Sequence, residues 1–350
     1  MRRRGWSAGI ALGMAWCAAV SGQRVAESPQ RAAAAPILLN VQVTDKAGHP
    51  IQGLQQSDFT LLDEGKPVPI RFFRALSGSQ PNTVSIALLI DDVNADFNEV
   101  TFARQQIAKF LRSFGPHLPA PVSVILMTET NLTRLLAPLT DGNRLAWELE
   151  QSEAHLRPVP ATADWGDVER WQDSMQGLRK IIAYLARQPG RTLLVWIGPG
   201  WPLFDNPGNM VTDQAQRFWM RAIVDLSTGL RTAQVTLDTV DPEGPQDGAG
   251  LESSRWGAFL KPVKKPGDAW FGDLALQVLA TESGGRVLYA SNDAAAELSA
   301  CAEDATAWYA LSFDPQASDK PDRWHALEVK VDKPEVVVRT NNGYYAQPLP

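Results

Sequence analysis

Cysteine is almost missing from this chain: of 350 residues only Cys17 and Cys301 carry a thiol. Cys17 falls in an N-terminal leader, so the mature chain keeps one thiol and no internal disulfide, and its core must stabilise it unaided. Histidine is equally sparse. His49, His117, His155 and His325 are scattered over different elements, which reads as surface or turn positions and not as a metal-ligand set. Beyond Arg2 to Arg4 at the N-terminus no run of three or more Lys or Arg occurs, and the formal charge of −6 argues against a phosphate-backbone partner, since nucleic-acid binders gather cations on one face. After the leader, no segment is apolar for long enough to cross a bilayer. The phosphate loop GxxxxGK[ST], the dinucleotide pattern GxGxxG, the zinc helix HExxH and the nucleophile elbow GxSxG are all lacking. An enzymatic reading therefore has no motif behind it, and Cys301, on an expected helix with no histidine beside it, reads as a buried small hydrophobe.

What is present begins with Arg2, Arg3 and Arg4, an apolar run from Gly9 to Val20, and small residues at Ala19, Ser21 and Gly22. This is the order of a secretory signal. The run is about 12 residues, short of the roughly 20 that span a bilayer, so a cleaved signal is favoured over a retained anchor. Trp16 stands where a lipid-attachment cysteine wants a small residue, which argues against lipidation at Cys17. The mature protein is expected to be secreted or periplasmic. With 44% hydrophobic residues, it has enough apolar side chains for a sizeable core.

The chain divides by pattern. Residues 1–22 read as the signal and 23–36 as a linker rich in Ala, Pro and polar residues. Residues 37–76 read as an N-terminal β unit, with strands at Ile37 to Thr44, Phe59 to Leu62 and Val68 to Phe73. From 83 to 305, apolar strands alternate with amphipathic helices, the sign of crossovers on a parallel sheet. The strands are Val84 to Ile90, Val122 to Met127, Leu132 to Leu136, Thr192 to Ile197, Ala233 to Val240 and Val287 to Tyr289. The helices are centred on Phe102 to Leu111, Leu145 to Leu156, Val168 to Ala186, Met210 to Leu230, Phe271 to Glu282 and Ala294 to Ala305. Residues 306–350 return to strands, at Trp308 to Phe313, His325 to Val331 and Val336 to Thr340, and are expected to pack with the N-terminal unit. The expected fold is α/β: a doubly wound, mostly parallel sheet with an accessory β-sandwich-like unit made from the two ends of the chain.

The segment LLIDDVNAD closes the first sheet strand, at the end where open α/β sheets bind their ligands. Asp91, Asp92, Asn94 and Asp96 there offer oxygen to a hard cation. The competing reading is that these residues cap the next helix, accepting its free amide protons.

LLIDDVNAD resembles the corresponding stretch of a von Willebrand factor A (VWA) domain, whose metal-ion-dependent adhesion site opens with DxSxS at this strand end. Further stretches, VTDKAGHPIQGLQQSDFTLLDEGKPVPI, PLTDGNRL, VWIGPGWP, LATESGGRVLYASND and WHALEVKV with VRTNNGYYA, are similar to an acidobacterial subfamily of VWA-related exported proteins. The resemblance implies an adhesion-type or protein-binding module. It matches Asp91 to the first metal-site aspartate and Thr140 to the metal-site threonine. Val93 and Ala95 then stand at the two serine positions, unless the motif shifts by one to Asp92, Asn94 and Asp96. Ile197, Gly198, Pro199 and Gly200 replace the later aspartate and offer no side-chain oxygen. A degenerate site is the expectation, with no resident cofactor and at most weak Mg or Ca binding.

Tryptophan supplies a second route to recognition, because it joins a large buried area to one polar handle. Trp196 and Trp201 flank the IGPG turn, and Trp165, Trp171, Trp219, Trp256 and Trp270 lie in or near helices and long loops. Trp201, with Pro199 and Gly200, is the favoured binding position. The expected partner is a protein. The alternatives are a structural component of a cell-envelope assembly acting through its β unit, and a hydrolase with an unrecognised site.

Overall fold

The structure is a computed structural model and describes residues 35–77, 80, 83–128, 132–152, 165–200, 212–242, 260–269, 276–289, 291–316 and 320–347. Its central layer is a six-stranded sheet of β5 (Val84–Asp91), β6 (Val122–Met127), β7 (Leu132–Leu139), β8 (Arg191–Ile197), β9 (Val235–Val240) and β10 (Val287–Leu288), in the order β10-β9-β8-β5-β6-β7. All neighbours pair in parallel except β7, which runs antiparallel along one edge. The doubly wound, mostly parallel sheet expected from the alternating pattern is therefore present. The order reverses between β5 and β8, so the crevice at a topological switch point opens beside the end of β5.

Side-chain alternation explains why these strands read as unbroken apolar runs. Ile86, Leu88 and Ile90 face one helix layer, made by α1 (Phe97–Ser113), α2 (Gly142–Gln151) and α6 (Ala294–Glu303). Ala87 and Leu89 face the other, made by α3 (Trp165–Leu185), α4 (Asp213–Thr232) and α5 (Gln277–Ser283). A strand covered on both faces has no position left for water. Helix starts follow capping chemistry: the side chains of Asp96, Asp141, Thr212 and Asp293 accept the first free amide protons of α1, α2, α4 and α6. α5 ends where Gly284 takes φ +82°, and a Cβ there would also strike the Thr340 backbone at 2.5 Å.

The two ends of the chain share sheets. One sheet has the order β13-β1-β11-β4 and the other β14-β12-β2-β3, with β1 Ile37–Thr44, β2 Phe59–Asp63, β3 Lys66–Val68, β4 Phe72–Ser77, β11 Ala307–Phe313, β12 Trp324–Val331, β13 Val337–Arg339 and β14 Gly343–Tyr345. β1 lies between two C-terminal strands, and β12 pairs with β2. Leu39, Val41, Phe59, Leu61, Leu311, Phe313 and Val329 of these sheets belong to one apolar cluster. The run Val68 to Phe73 is two strands and not one. Pro69 cannot donate to a ladder, so β3 ends at Val68 and β4 starts in the other sheet. β14, which begins at Gly343 directly after Asn341 and Asn342, is too short for periodicity to reveal.

A buried ionic network joins these strands to the α/β layers. Asp304, 1% exposed, accepts from Arg286 and from Arg339 on β13, at 3.0 and 2.7 Å. Arg191 on β8 donates to Gln42 of β1 and Thr236 of β9, and its guanidinium lies over Trp308 of β11. Burial lowers the Arg191 pKa to about 10, against the pull of Asp304 and Asp238. Asp238, fully buried, takes the Arg286 amide proton at 2.6 Å, and burial, with Asp304 nearby, raises its pKa to about 6.

His325 departs from the expectation of a surface position. It is 4% exposed on β12, its Nδ1 lies 3.3 Å from Asp63 and its ring stacks on Tyr344, which donates to the same carboxylate. One histidine in an alternating strand gives no hint of which face is covered. His49 and His117 are exposed, and His155 lies outside the described residues. Cys301 is buried in α6, where desolvation raises its thiol pKa well above the ordinary value.

Candidate functional site

Asp91 is the last residue of β5 and is fully buried. Its carboxylate is consumed by the turn that follows and by Trp196 of β8. Oδ1 accepts from the backbone amides of Val93 and Asn94 at 3.0 and 3.1 Å, and Oδ2 from Asn94 Nδ2 at 2.7 Å and Trp196 Nε1 at 2.9 Å. Burial nonetheless raises its pKa to about 6, because desolvation outweighs the four donors. Asn94 Nδ2 also donates to Ser174 on α3, tying the turn to the opposite helix layer. Asn94 Oδ1 is buried with no hydrogen-bond partner among the described residues.

The turn is closed from below by β8. Gly198 has φ +152°, and a Cβ there would sit 2.8 Å from the Asp91 Cβ. Only glycine lets β8 end this close to the aspartate. Gly200 is buried against Leu276 and Gln277, and Pro199 is half-buried.

Of the residues expected to form a metal site, Asp91 and Asn94 meet through hydrogen bonds, while Asp96 and Thr140 serve other parts of the fold. Val93 and Ala95, at the two serine positions, are core side chains, 0% and 4% exposed. Asp92 is buried and its amide donates to the Met127 carbonyl. Asp96 is the N-cap of α1: its side chain accepts from the Glu99 amide at 2.9 Å while the Glu99 carboxylate receives the Asp96 amide. The capping reading of this residue is what the structure displays.

Thr140 is a correction. β6 ends with Met127 beside Asp91, but β7 runs antiparallel, with Leu139 opposite Val122 at the start of β6. Five residue steps separate those two levels, so Thr140 lies about 16 Å along the strands from Asp91, at the other end of the sheet. It is exposed, and its carbonyl accepts from the Leu118 amide. The match of PLTDGNRL does not reveal that the strand before it has reversed direction. Among the described residues, no three or more His, Cys, Asp or Glu side chains form a group able to hold a metal ion. The donor set does not fit a hard cation, which needs several unconsumed oxygens.

The aromatic expectations divide. Trp196 is not exposed beside the turn but 0% exposed in the core, its indole serving Asp91. Trp171 and Trp219 are buried edge-to-face against each other, 3.7 Å between ring centroids. Trp201, Trp256 and Trp270 lie outside the described residues, as does the side chain of Trp165. Sequence reasoning missed Phe97, the first residue of α1, which is 57% exposed immediately beyond the Asp91 to Asp96 turn. An aromatic directly after an acidic N-cap, ahead of the helix's apolar stripe, was the available signal.

No family model and no curated protein matches the chain. Solved structures similar to it include the manganese-loaded TRAP protein of Plasmodium vivax, at 11% identity over 77% of this chain and 96% of that one, TM-score 0.37. Others are the human COPII-coat protein Sec24c, at 11% identity over 79% and 46%, TM-score 0.33, and the SpRpn10 VWA domain, at 13% identity over 62% and 94%, TM-score 0.29. Likeness at this depth assigns no ligand, and the site is read from its own geometry.

Proposed function

We propose that this chain is an exported VWA-like module of the acidobacterial VWA-related type, which acts by binding a protein and not by catalysis. In this reading its metal-ion-dependent adhesion site is degenerate, and partner contact is made by the carboxyl end of the sheet, with Trp201, Pro199 and Gly200 as the contact residues. The two shared β sheets form an accessory β-sandwich-like unit. The supporting observation is the pairing of a sealed aspartate with an exposed aromatic. Asp91 has given its acceptors to its own turn and to Trp196, while Phe97, six residues further on at the start of α1, stands in solvent. Exposed aromatics at the rim of a ligand-bearing crevice suit contact with another protein. Among the described residues no helix is long and apolar enough to cross a membrane.

The test is calorimetry of the mature protein with Mg²⁺, Ca²⁺ and Mn²⁺, beside an Asp91→Asn variant checked for folding. The expected result is no binding heat in either protein. Tight binding that disappears in the variant overturns the degenerate site. For the partner, capture from an envelope extract is expected to survive EDTA and to be lost in Phe97→Ala; capture abolished by EDTA refutes the proposal.

A second reading, a structural component acting through its β unit, is favoured by Phe72 on β4 and Val337 on β13. These are 46% and 45% exposed on the two outermost strands of one sheet. Loss of capture in Phe72→Ala, with Phe97→Ala unaffected, selects it.

A further inference from the structure

The outer face of α1 and α2 carries a feature that the sheet-end reading does not use. The two helices enclose an open groove of about 550 Å³, and its polar lining includes Arg104, Lys109 and Arg112 of α1, with Glu150 of α2 as the one carboxylate among the described lining residues. With Asp293, which pairs with Lys109, three cations face two anions, a locally positive strip on a chain of net charge −6. Arg104 is fixed in place: Nη2 donates to the Leu149 and Ser152 carbonyls at 2.7 Å each, capping the C-terminus of α2. Among the described residues, Lys109 and Arg112 are held by exposed ion pairs with Asp293 and Glu150. Such pairs are worth little and exchange readily for another anion.

We infer that this groove docks an acidic peptide segment of a partner protein, whose carboxylates replace Glu150 and Asp293 on Arg112 and Lys109. The open shape decides against a small molecule, because ligand pockets enclose most of their ligand, whereas a segment tethered to a larger partner needs cover on one side only. Charge complementarity decides the chemistry. The inference is independent of the sheet-end reading.

Fluorescence anisotropy of a labelled oligoglutamate peptide with the mature protein tests it. Wild type is expected to bind, more weakly as salt is raised, and an oligolysine peptide is expected not to. Lys109→Glu with Arg112→Glu should weaken binding about tenfold or more. The exposed pair Lys264→Glu with Lys265→Glu makes the same change in net charge away from the groove and should shift it by less than about twofold. Glu150→Gln frees Arg112 and should tighten binding, a gain that a purely structural role for these residues does not produce. No binding by wild type, equal losses in the two charge-reversed pairs, or no gain in Glu150→Gln each overturns the inference.

Discussion

Glu282 is expected to make the stability of this protein fall as pH rises from about 4.5 to about 7. Its side chain, 1% exposed on α5, meets α4 at Ser227, β14 at Tyr345 and the 260–269 segment at Val263. Tyr345 donates to Oε1 at 2.9 Å, and Oε2 has no hydrogen-bond partner among the described residues. Burial raises the carboxyl from its ordinary 4.5 to about 7, only partly offset by the hydrogen bonds. Because the folded form holds the proton more tightly than the unfolded chain, stability from this group is full below about 4.5 and is lost as pH rises to about 7. The shift of roughly 2.5 units corresponds to a loss of about 3 kcal/mol across that window. Asp91 and Asp238, both raised from 3.8 to about 6, act in the same direction at somewhat lower pH. Urea unfolding at a series of pH values between 5 and 8 reads the slope directly. Glu282→Gln keeps the shape and removes the proton. Its buried amide lacks an acceptor at the Oε2 position, at a cost of about 1–3 kcal/mol, so the slope and not the absolute stability is decisive. The variant should lose up to about 1.4 kcal/mol per pH unit of slope near pH 6. Equal slopes in wild type and variant refute the assignment.

Two substitutions probe the joints of the structure. Gly198→Ala puts a Cβ 2.8 Å from that of Asp91 at a φ that side chains rarely adopt, and should destabilise by about 1–3 kcal/mol in thermal or urea unfolding; an unchanged midpoint contradicts the close approach. Asp304→Ala strips Arg286 and Arg339 of their shared buried carboxylate. It should cost about 3–5 kcal/mol, with faster amide hydrogen exchange in both β13 and α6; a loss below about 1 kcal/mol shows that the network does not hold the layers together.

Much of the fold was legible because burial on two faces demands apolar strands, and Val84 to Ile90, Val122 to Met127 and Thr192 to Ile197 each appear close to where their runs place them. The turn at Asp91 was legible as a location, since β5 must end where its apolar run meets Asp91 and Asp92. Its chemistry was not. Whether Asp91 faces a cation or its own amides depends on Trp196 and Gly198, more than a hundred residues away, brought alongside by the parallel pairing of β5 with β8.

By itself the sequence determined the alternation of helix and strand, the capping of α1 as one of two readings of its acidic turn, and the positions of the sheet's crossovers, all consequences of local period and local hydrogen bonding. Only the tertiary structure decided that Thr140 belongs to the wrong end of the sheet, that His325 and Trp196 are core, and that β1 is threaded between β11 and β13. Strand direction and strand partners are set by contacts between segments distant in the chain, and such contacts leave no period in either segment to read.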